Sequence, residues 1–593
     1  MIISSLLLIF FIIYVSFNYY SITNSRLLKP IHFKLPDKDF TNNRYSKKKV
    51  PLVVDTIIIG SGISGLTVAS LLAKFGKKVL VLEQHYVAGG STHVFEEDGI
   101  EHETGYHYIG NVHKRQVLFD ILSDKKIEWC QLGEETKEKI YDEIIIGENH
   151  YKFESGVQFL KQYLIDKFPH EHKGIIQYFD LVKIVAKKDI FFLLKVFPYK
   201  FISSLIKYID PVFYNYSQTS AYDTIKTYIK DEELISVLCG QMGDYGQTPK
   251  EASFFIHASI VNHYLDGGWY PKGGPKVIAN NIIKTIEEYN GTVLVGKAVK
   301  SLFIRNNKCI GVIMENGDLI YADSVISSIG FKNTFTKLLE NINYKDKALY
   351  DKFLKDYKPS VQHLYTFVKL KGTPQELGLP SSNYWIYPDK DFEKVFKDFE
   401  NDPFEAPLPV FIAFSCAKDT SWNERYAGYS NAILITTISK DFFTQWEDDR
   451  CAHRSEEYKN LKNTIWKRLI DEELFKHFPQ LKDKVVSFNV ATPLTTQYYF
   501  NNLDGDSYGM KMDKNRLLNG ELVRPRTSIE NLYLTGQDIV TMGITGAMMA
   551  GIMTANVIMK YDNMIDIIKG NNIIKELISR TSNYWSSYTY ILN

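Results

Sequence analysis

The hydrophobic pattern along the chain changes period several times, and each change predicts an element. VVDTIIIG at 53–60 is a short β-branched run closed by glycine, the pattern of a parallel strand buried on both faces. After Gly60, Gly62 and Gly65, the residues Leu66, Ala69, Leu72 and Ala73 recur at helical spacing until Gly76, which predicts a helix ended by glycine. KVLVLE at 78–83 then reads as a second strand, completing a strand–turn–helix–strand unit. Residues 291–330 alternate, with an Asn316-Gly317 turn signal, and predict a small antiparallel cluster leading into a last buried strand.

Two further apolar stretches fall outside this scheme. Residues 2–20, IISSLLLIFFIIYVSFNYY, form an uncharged run with its strongest part at 6–15, which is signal-peptide length. Residues 1–22 are therefore expected to be a signal peptide or a membrane anchor, followed by a linker over 23–50. Lys and Arg at 26, 29, 34 and 47–49 would hold an uncleaved anchor with its C-terminal side cytoplasmic, whereas cleavage would place the chain in the lumen. Residues 190–216, IFFLLKVFPYKFISSLIKYIDPVFYNY, are densely apolar with three lysines and a break at Pro198. They admit two readings, a pair of amphipathic helices resting in a bilayer interface or an ordinary core helix pair with solvated lysines. On the first reading, Phe191, Phe192 and Leu194 would carry the membrane contact.

The glycine turn has chemistry attached. In GxGxxG, Gly60 permits a tight turn, Gly62 lets the backbone approach a pyrophosphate, and Gly65 lets the helix pack on the sheet. The free N–H groups at the helix start suit phosphate. Glu83 ends the second strand about 20 residues beyond the glycines, where a carboxylate accepts from both ribose hydroxyls and would repel a 2′-phosphate. Strand, glycines, helix, strand and terminal Glu in register point to an adenine dinucleotide.

Several longer stretches carry a family resemblance. Ala88-Gly89-Gly90, just after Glu83, resembles the extended fingerprint of the FAD-binding amine oxidase and phytoene desaturase superfamily. More narrowly, VLEQHYVAGGSTHVFEEDGIEHETGYHYIG, GGWYPKGGPKVIANNI, TPLTTQYYF and NLYLTGQDIVTMGITGA are similar to the all-trans-retinol 13,14-reductase (retinol saturase) family, over roughly 53–557. That resemblance implies an FAD flavoprotein saturating the 13,14 double bond of a retinoid at the endoplasmic reticulum or nuclear membrane. It also implies that Gly89 and Gly90 run close to the flavin and that the Val299 backbone meets the adenine. By the same resemblance 532–535 would be a strand and 543–551 a helix whose N-terminal end faces the flavin; Gly536 would be a close backbone approach, Asp538 a ribityl acceptor, and the backbone at Ile544 and Thr545 would lie by the N1–C2 edge of the flavin. Ser91-Thr92 and Met542 stand where family members usually carry cysteine, which removes support for a thiol role.

The expected architecture is α/β: a Rossmann-like FAD-binding domain of the amine oxidase and phytoene desaturase type, interleaved with an α+β substrate cap. The first would comprise 51–110, 255–330 and 521–560, the cap 111–254 and 331–520, and 561–593 a C-terminal tail. Composition narrows the partners. Lys+Arg 70 against Asp+Glu 69 in 593 residues gives a net charge of +1, which argues against nucleic acid. Cys130, Cys239, Cys309, Cys416 and Cys451 show no metal-ligand or disulfide spacing. The aromatic share of 14% admits two readings, a biased codon pool or a pocket for a flat apolar polyene. Saturating a conjugated C=C takes a hydride at one carbon and a proton at the other, and His107, Tyr108, Tyr270 and Lys272 are the candidate proton donors or water orienters. No second glycine fingerprint is visible, so NAD(P)H or an electron-transfer partner would reload the flavin transiently. A carotenoid isomerase or desaturase, and a non-catalytic membrane-tethered carrier, are the competing readings.

Overall fold

In the computed structural model, residues 32–559 are described; the leader at 1–22 and the tail at 561–593 lie outside them. Among the described residues no helix is long and apolar enough to cross a membrane.

Five short strands from widely separated parts of the chain form one parallel sheet, in the order Thr292–Leu294, Val79–Leu82, Thr56–Ile59, Ser324–Ser327, Leu532–Leu534. Every residue of the three middle strands is buried, as expected where helices cover both faces. Helix Ile63–Lys74 connects the first two strands and packs against helix Gly543–Ile558 near the chain's end. The approach is close enough that a Cβ at Gly551 would lie 2.7 Å from the Thr67 side chain. The terminal helix is thereby pinned beside the glycine turn. Residues 291–330 divide in two: Thr292–Leu294 joins the edge of the parallel sheet, and only Val299–Arg305, Lys308–Met314 and Leu319–Tyr321 form the antiparallel cluster. The Asn316-Gly317 turn sits between the last two, with Gly317 at φ +84°.

A second sheet of seven strands faces this unit. Its order is Val485–Ala491, His363–Lys371, Tyr429–Thr437, Val410–Ala413, Asn383–Tyr387, Ile140–Ile146, Asn149–Glu154, all antiparallel except Asn383–Tyr387 beside Ile140–Ile146. The α/β class with a Rossmann-like core and a mixed second layer is the architecture expected from the sequence.

The stretch 190–216 departs from both readings given for it. It folds as four short helices, Ile190–Leu194, Phe201–Ser204, Ile206–Ile209 and Pro211–Gln218. Phe191, Phe192 and Leu194 are core residues, so the side chains expected in a bilayer face inward. Lys195, expected in solvent, is buried and donates to the Ile539 carbonyl at 2.8 Å. The side chains that do face outward are Leu193, Tyr199, Phe201 and Tyr208, each 46–66% exposed.

Candidate active site

A cavity of about 1130 Å³ runs between the parallel sheet and the seven-stranded sheet, above the roughly 300–1,000 Å³ usual for a single small ligand. It has room for a dinucleotide together with a second, apolar molecule. Gly60, Gly62, Glu83, Gly89, Gly90, Val299, Gly536, Asp538, Ile544 and Thr545 all line it. Gly65 lies behind the wall, where a Cβ would sit 2.2 Å from the Gly60 carbonyl oxygen; its role is the helix-to-turn contact expected of the third glycine.

The two glycine signals fold onto each other. Gly60 turns at φ +95° and Gly90 at φ +54°, and a Cβ on Gly90 would stand 2.9 Å from the Gly62 Cα. At Gly62 a Cβ would meet no atom within 4 Å, because it would point into the cavity. Glu83 takes Ser61 N–H at 2.8 Å and Ser61 O–H at 2.7 Å on one oxygen and His85 N–H at 2.8 Å on the other. These bonds fix the carboxylate and leave one lone-pair site, on the oxygen that accepts His85 N–H, for a ribose hydroxyl.

Two helices begin at the cavity. Neither Gly62 ahead of Ile63–Lys74 nor Met542 ahead of Gly543–Ile558 makes a side-chain cap, so their leading N–H groups are available to anions. Buried polar atoms without a partner also gather on the wall: Thr545 Oγ1, Asp506 Oδ2, His85 Nε2, Tyr106 OH, Trp385 Nε1 and Arg115 Nε. Native proteins satisfy nearly all such atoms, so their concentration here marks the place of a polar ligand. By donor set, open glycine and free helix starts, the residues fit an adenine dinucleotide.

Asp538 does more than was expected of it. Its two oxygens accept Phe331 N–H at 2.7 Å and Met510 N–H at 2.9 Å, joining three chain segments beneath the cavity. Asp506, which no sequence pattern signals, lines the wall near it. Burial, then Asp538 and Asp504, push its carboxyl up to about 7.

The expected proton donors separate. Lys272 is exposed, pairs with Glu128 at 3.2 Å and is not a wall residue. Tyr270 is buried behind the wall and donates to Glu103 at 2.8 Å. Both lie at the end of strand Gly268–Pro271, whose pleat turns Tyr270 inward and leaves Lys272 beyond the strand in solvent. His107 and Tyr108 do line the cavity. His107 Nδ1 is 2.7 Å from Glu103. Burial works to raise Glu103, but His107, Lys418 and Tyr270 outweigh it and hold the carboxyl below its ordinary value. Tyr108 O–H lies 3.1 Å from Asp142 and 2.9 Å from Asp244.

The opposite wall is aromatic. One row across the seven-stranded sheet, Ala491, Tyr365, Ile435, Phe411 and Trp385 in register, faces the cavity from end to end, with the Phe411 and Trp385 rings 4.5 Å apart. His363, Tyr365 and Phe367 alternate along one strand onto the same wall, as period-two geometry requires.

Comparison with known proteins agrees with this geometry. Residues 58–124 match the NAD(P)-binding Rossmann-like domain. An all-trans-retinol 13,14-reductase of Danio rerio is 35% identical over 91% of this chain and 92% of its own. The chain belongs to the all-trans-retinol 13,14-reductase family. A second Danio rerio protein, named an inactive all-trans-retinol 13,14-reductase, is 31% identical over 88% of this chain and 89% of its own. The chloroplastic prolycopene isomerase of Daucus carota is further off, 26% identical over 85% and 79%. Among solved structures, the cyclohexylamine oxidase of Brevibacterium oxydans superposes with a TM-score of 0.56 at 16% identity, over 86% of this chain and 99% of that one, which places the fold with the amine oxidases.

Proposed function

We propose that this chain saturates the 13,14 double bond of all-trans-retinol, giving all-trans-13,14-dihydroretinol, with FAD as its cofactor. The observation that carries the reading is a single cavity with a dinucleotide cradle on one side and a continuous aromatic and aliphatic row on the other. FAD, when bound, supplies two-electron reducing chemistry for a C=C bond. Gly60, Gly62, Glu83, Gly89, Gly90 and the backbone at Val299 would hold its adenosine and phosphate parts. Gly536, Asp506, Asp538 and the helix start at Ile544 and Thr545 would hold the flavin part. The protein's own contribution is to bind a flat polyene along the sheet row, orient it and exclude water from it. The direct test is whether purified flavoprotein converts all-trans-retinol into a product lacking that double bond.

Gly243 makes the row possible. A Cβ there would stand 2.3 Å from Trp385 Cζ3, inside any real contact, so Gly243→Ala must tilt the indole out of register. The expected result is a retinol affinity roughly five- to 150-fold weaker with unchanged flavin content, taking the about 1–3 kcal/mol typical of overpacking as the loss. Ligand quenching of protein fluorescence measures it, and an unchanged affinity would remove the row from the substrate site.

The proposal extends to the membrane. Leu193 is both exposed and part of the cavity wall, and Tyr199, Phe201 and Tyr208 are exposed close by in sequence, interleaved with Lys200 and Lys207. Exposed apolar residues alternating with lysines suit an anionic bilayer interface, from which a lipid-borne polyene would enter. In a chain beginning at residue 32, replacing these four with serine is expected to abolish flotation with anionic liposomes; full flotation of the variant would sink the idea. An endoplasmic reticulum membrane location accords with this surface and with the leader. Reloading by NAD(P)H or by an electron-transfer protein belongs to the same proposal, supported by the single glycine fingerprint, which leaves the second reductant a transient visitor.

A further inference from the structure

Adding two hydrogens across a C=C bond consumes a hydride equivalent and one proton. Of the donors expected from sequence, Lys272 and Tyr270 are off the wall and His107 is engaged by Glu103. The remaining one, Tyr108, leads to a group that sequence did not single out. Its hydroxyl oxygen lies within hydrogen-bond distance of two carboxylates, Asp142 at 3.1 Å and Asp244 at 2.9 Å. A phenol has one proton, so it serves one carboxylate as donor; the other contact is a hydrogen bond only if a carboxyl carries a proton itself.

The surroundings say which. Asp142 is fully buried and already accepts from Asn383 at 2.8 Å and Gln241 at 2.7 Å, an environment built for the anion. Asp244 ends a short turn, Met242–Asp244, lies on the cavity wall and is partly accessible there. Tyr108 is the one hydrogen-bond partner recorded for its side chain among the described residues. Its position ties it to both cofactor-facing segments. Tyr508 O–H donates to the Gly243 carbonyl at 3.1 Å. The next residue, Gly509, abuts the Asp538 carboxylate, and Met510 N–H donates to it. On the other side, the loop leading to Tyr108 touches Ser91 beside Gly90, where a Cβ on Gly105 would be 3.2 Å from the Ser91 Cβ.

We propose that Asp244 is the acid that protonates the polyene, with Tyr108, held as donor to the Asp142 anion, as the hydroxyl that accepts from its carboxyl and orients it. The assignment rests on the retinoid reading above. In the step, the Asp244 O–H bond breaks and the π pair of the polyene forms the new C–H bond. The other carbon receives the hydride equivalent, for which reduced flavin is the two-electron donor. Asp244 is left as a carboxylate on the cavity wall and regains its proton from water once the product has left.

Electrostatics agree. Burial and then the Asp142 charge raise Asp244 well above the ordinary carboxyl range, against smaller opposing effects of Tyr108 and Lys418. Burial brings Asp142 up to about 7 against its hydrogen bonds to Asn383, Gln241 and Tyr108 and the Lys418 charge. The other titratable groups acting on Asp244 from the surrounding elements are Tyr141, Tyr245, Tyr264, Tyr387 and Tyr508. Burial raises all of these phenols, so they are neutral, and Lys418 is the one cation of the set; its ammonium lies 2.6 Å from Asn383 Oδ1. The donor form of Asp244 is therefore kept to higher pH than in an ordinary carboxyl and is lost as pH rises through its raised value.

The test uses the flavin-loaded full chain, reduced anaerobically and mixed with all-trans-retinol, comparing wild type with Asp244→Asn. The variant is expected to keep its flavin content and absorption spectrum and to bind retinol within about threefold. Its reoxidation by retinol should slow by 10²–10⁴-fold, the usual weight of a general acid, and the alkaline fall in the wild-type rate should disappear. Difference infrared spectra of flavin-free protein through a pH titration give a readout independent of turnover: a protonated carboxyl band in wild type that Asp244→Asn removes. Tyr108→Phe keeps the assignment testable if Asp244→Asn does not fold, because losing a hydrogen bond that lowers Asp244 should move the alkaline fall in the reoxidation rate to higher pH; an unmoved fall would overturn the assignment. Wild-type reoxidation matched by an equally fast Asp244→Asn would overturn the donor assignment alone. A wild type that retinol cannot reoxidise would overturn the retinoid reading and the assignment with it.

Discussion

A chain with valine at position 65 will retain less than about one tenth of the wild-type flavin and will be less stable by 3 kcal/mol or more. The first side-chain carbon would sit 2.2 Å from the carbonyl oxygen of Gly60. Both partners are backbone, so no rotamer relieves the clash, and overpacking of this kind exceeds the usual 1–3 kcal/mol range. Relief requires the helix Ile63–Lys74 to move off the strand, which opens the turn that Gly62 and Gly90 build together. The flavin-to-protein absorbance ratio and the thermal midpoint measure the two consequences. Alanine at 65 should fall on the same side with a smaller loss. Full flavin content in the valine variant would mean that the turn does not position the cofactor.

Asp538→Ala is expected to lower the stability of flavin-free protein by about 2–6 kcal/mol. Two buried backbone N–H groups, on Phe331 and Met510, lose their acceptor, and an unsatisfied buried donor costs roughly 1–3 kcal/mol each. The measurement discriminates because it uses protein without cofactor. If the carboxylate served only a ribityl chain, denaturant unfolding of the flavin-free variant would match wild type and only the loaded forms would differ.

The dinucleotide cradle was legible because its requirements are local. Gly60 and Gly90 are set by backbone angle, Gly65 by what a Cβ would strike and Gly62 by the open space a ligand needs, and residue identity records each. Glu83 was readable for the same reason, since it ends a strand at the cavity, whereas the segments at 532–535 and 543–551 were read from the family resemblance. Asp142, Asp244 and Lys418 were not. They come from a strand, a turn and a short helix separated by about 100 residues or more, and nothing near them in sequence distinguishes a buried carboxylate from a solvated one.

The stretch 190–216 shows the converse. Its apolar density was plain, but four short helices replace two, so spacing along the chain no longer reports facing; Phe191 and Phe192 turn in while Leu193 turns out. The alternation of His363, Tyr365 and Phe367 is visible in the sequence as a half-buried strand. That it meets Phe411 and Trp385 in one row depends on the order of seven strands, which pattern alone does not supply.

The central claim is that one cavity brings a reduced flavin and a retinoid polyene together for saturation. It is tested most directly by reducing the flavin-loaded protein anaerobically, adding one equivalent of all-trans-retinol, and following flavin and polyene absorbance together with the mass of the product. The expected result is flavin reoxidation in step with loss of polyene absorbance, and a product heavier by two hydrogens with the 13,14 bond saturated. Unchanged conjugation with an altered double-bond geometry, as an isomerase would give, or a flavin that stays reduced, as in a non-catalytic carrier, would contradict it.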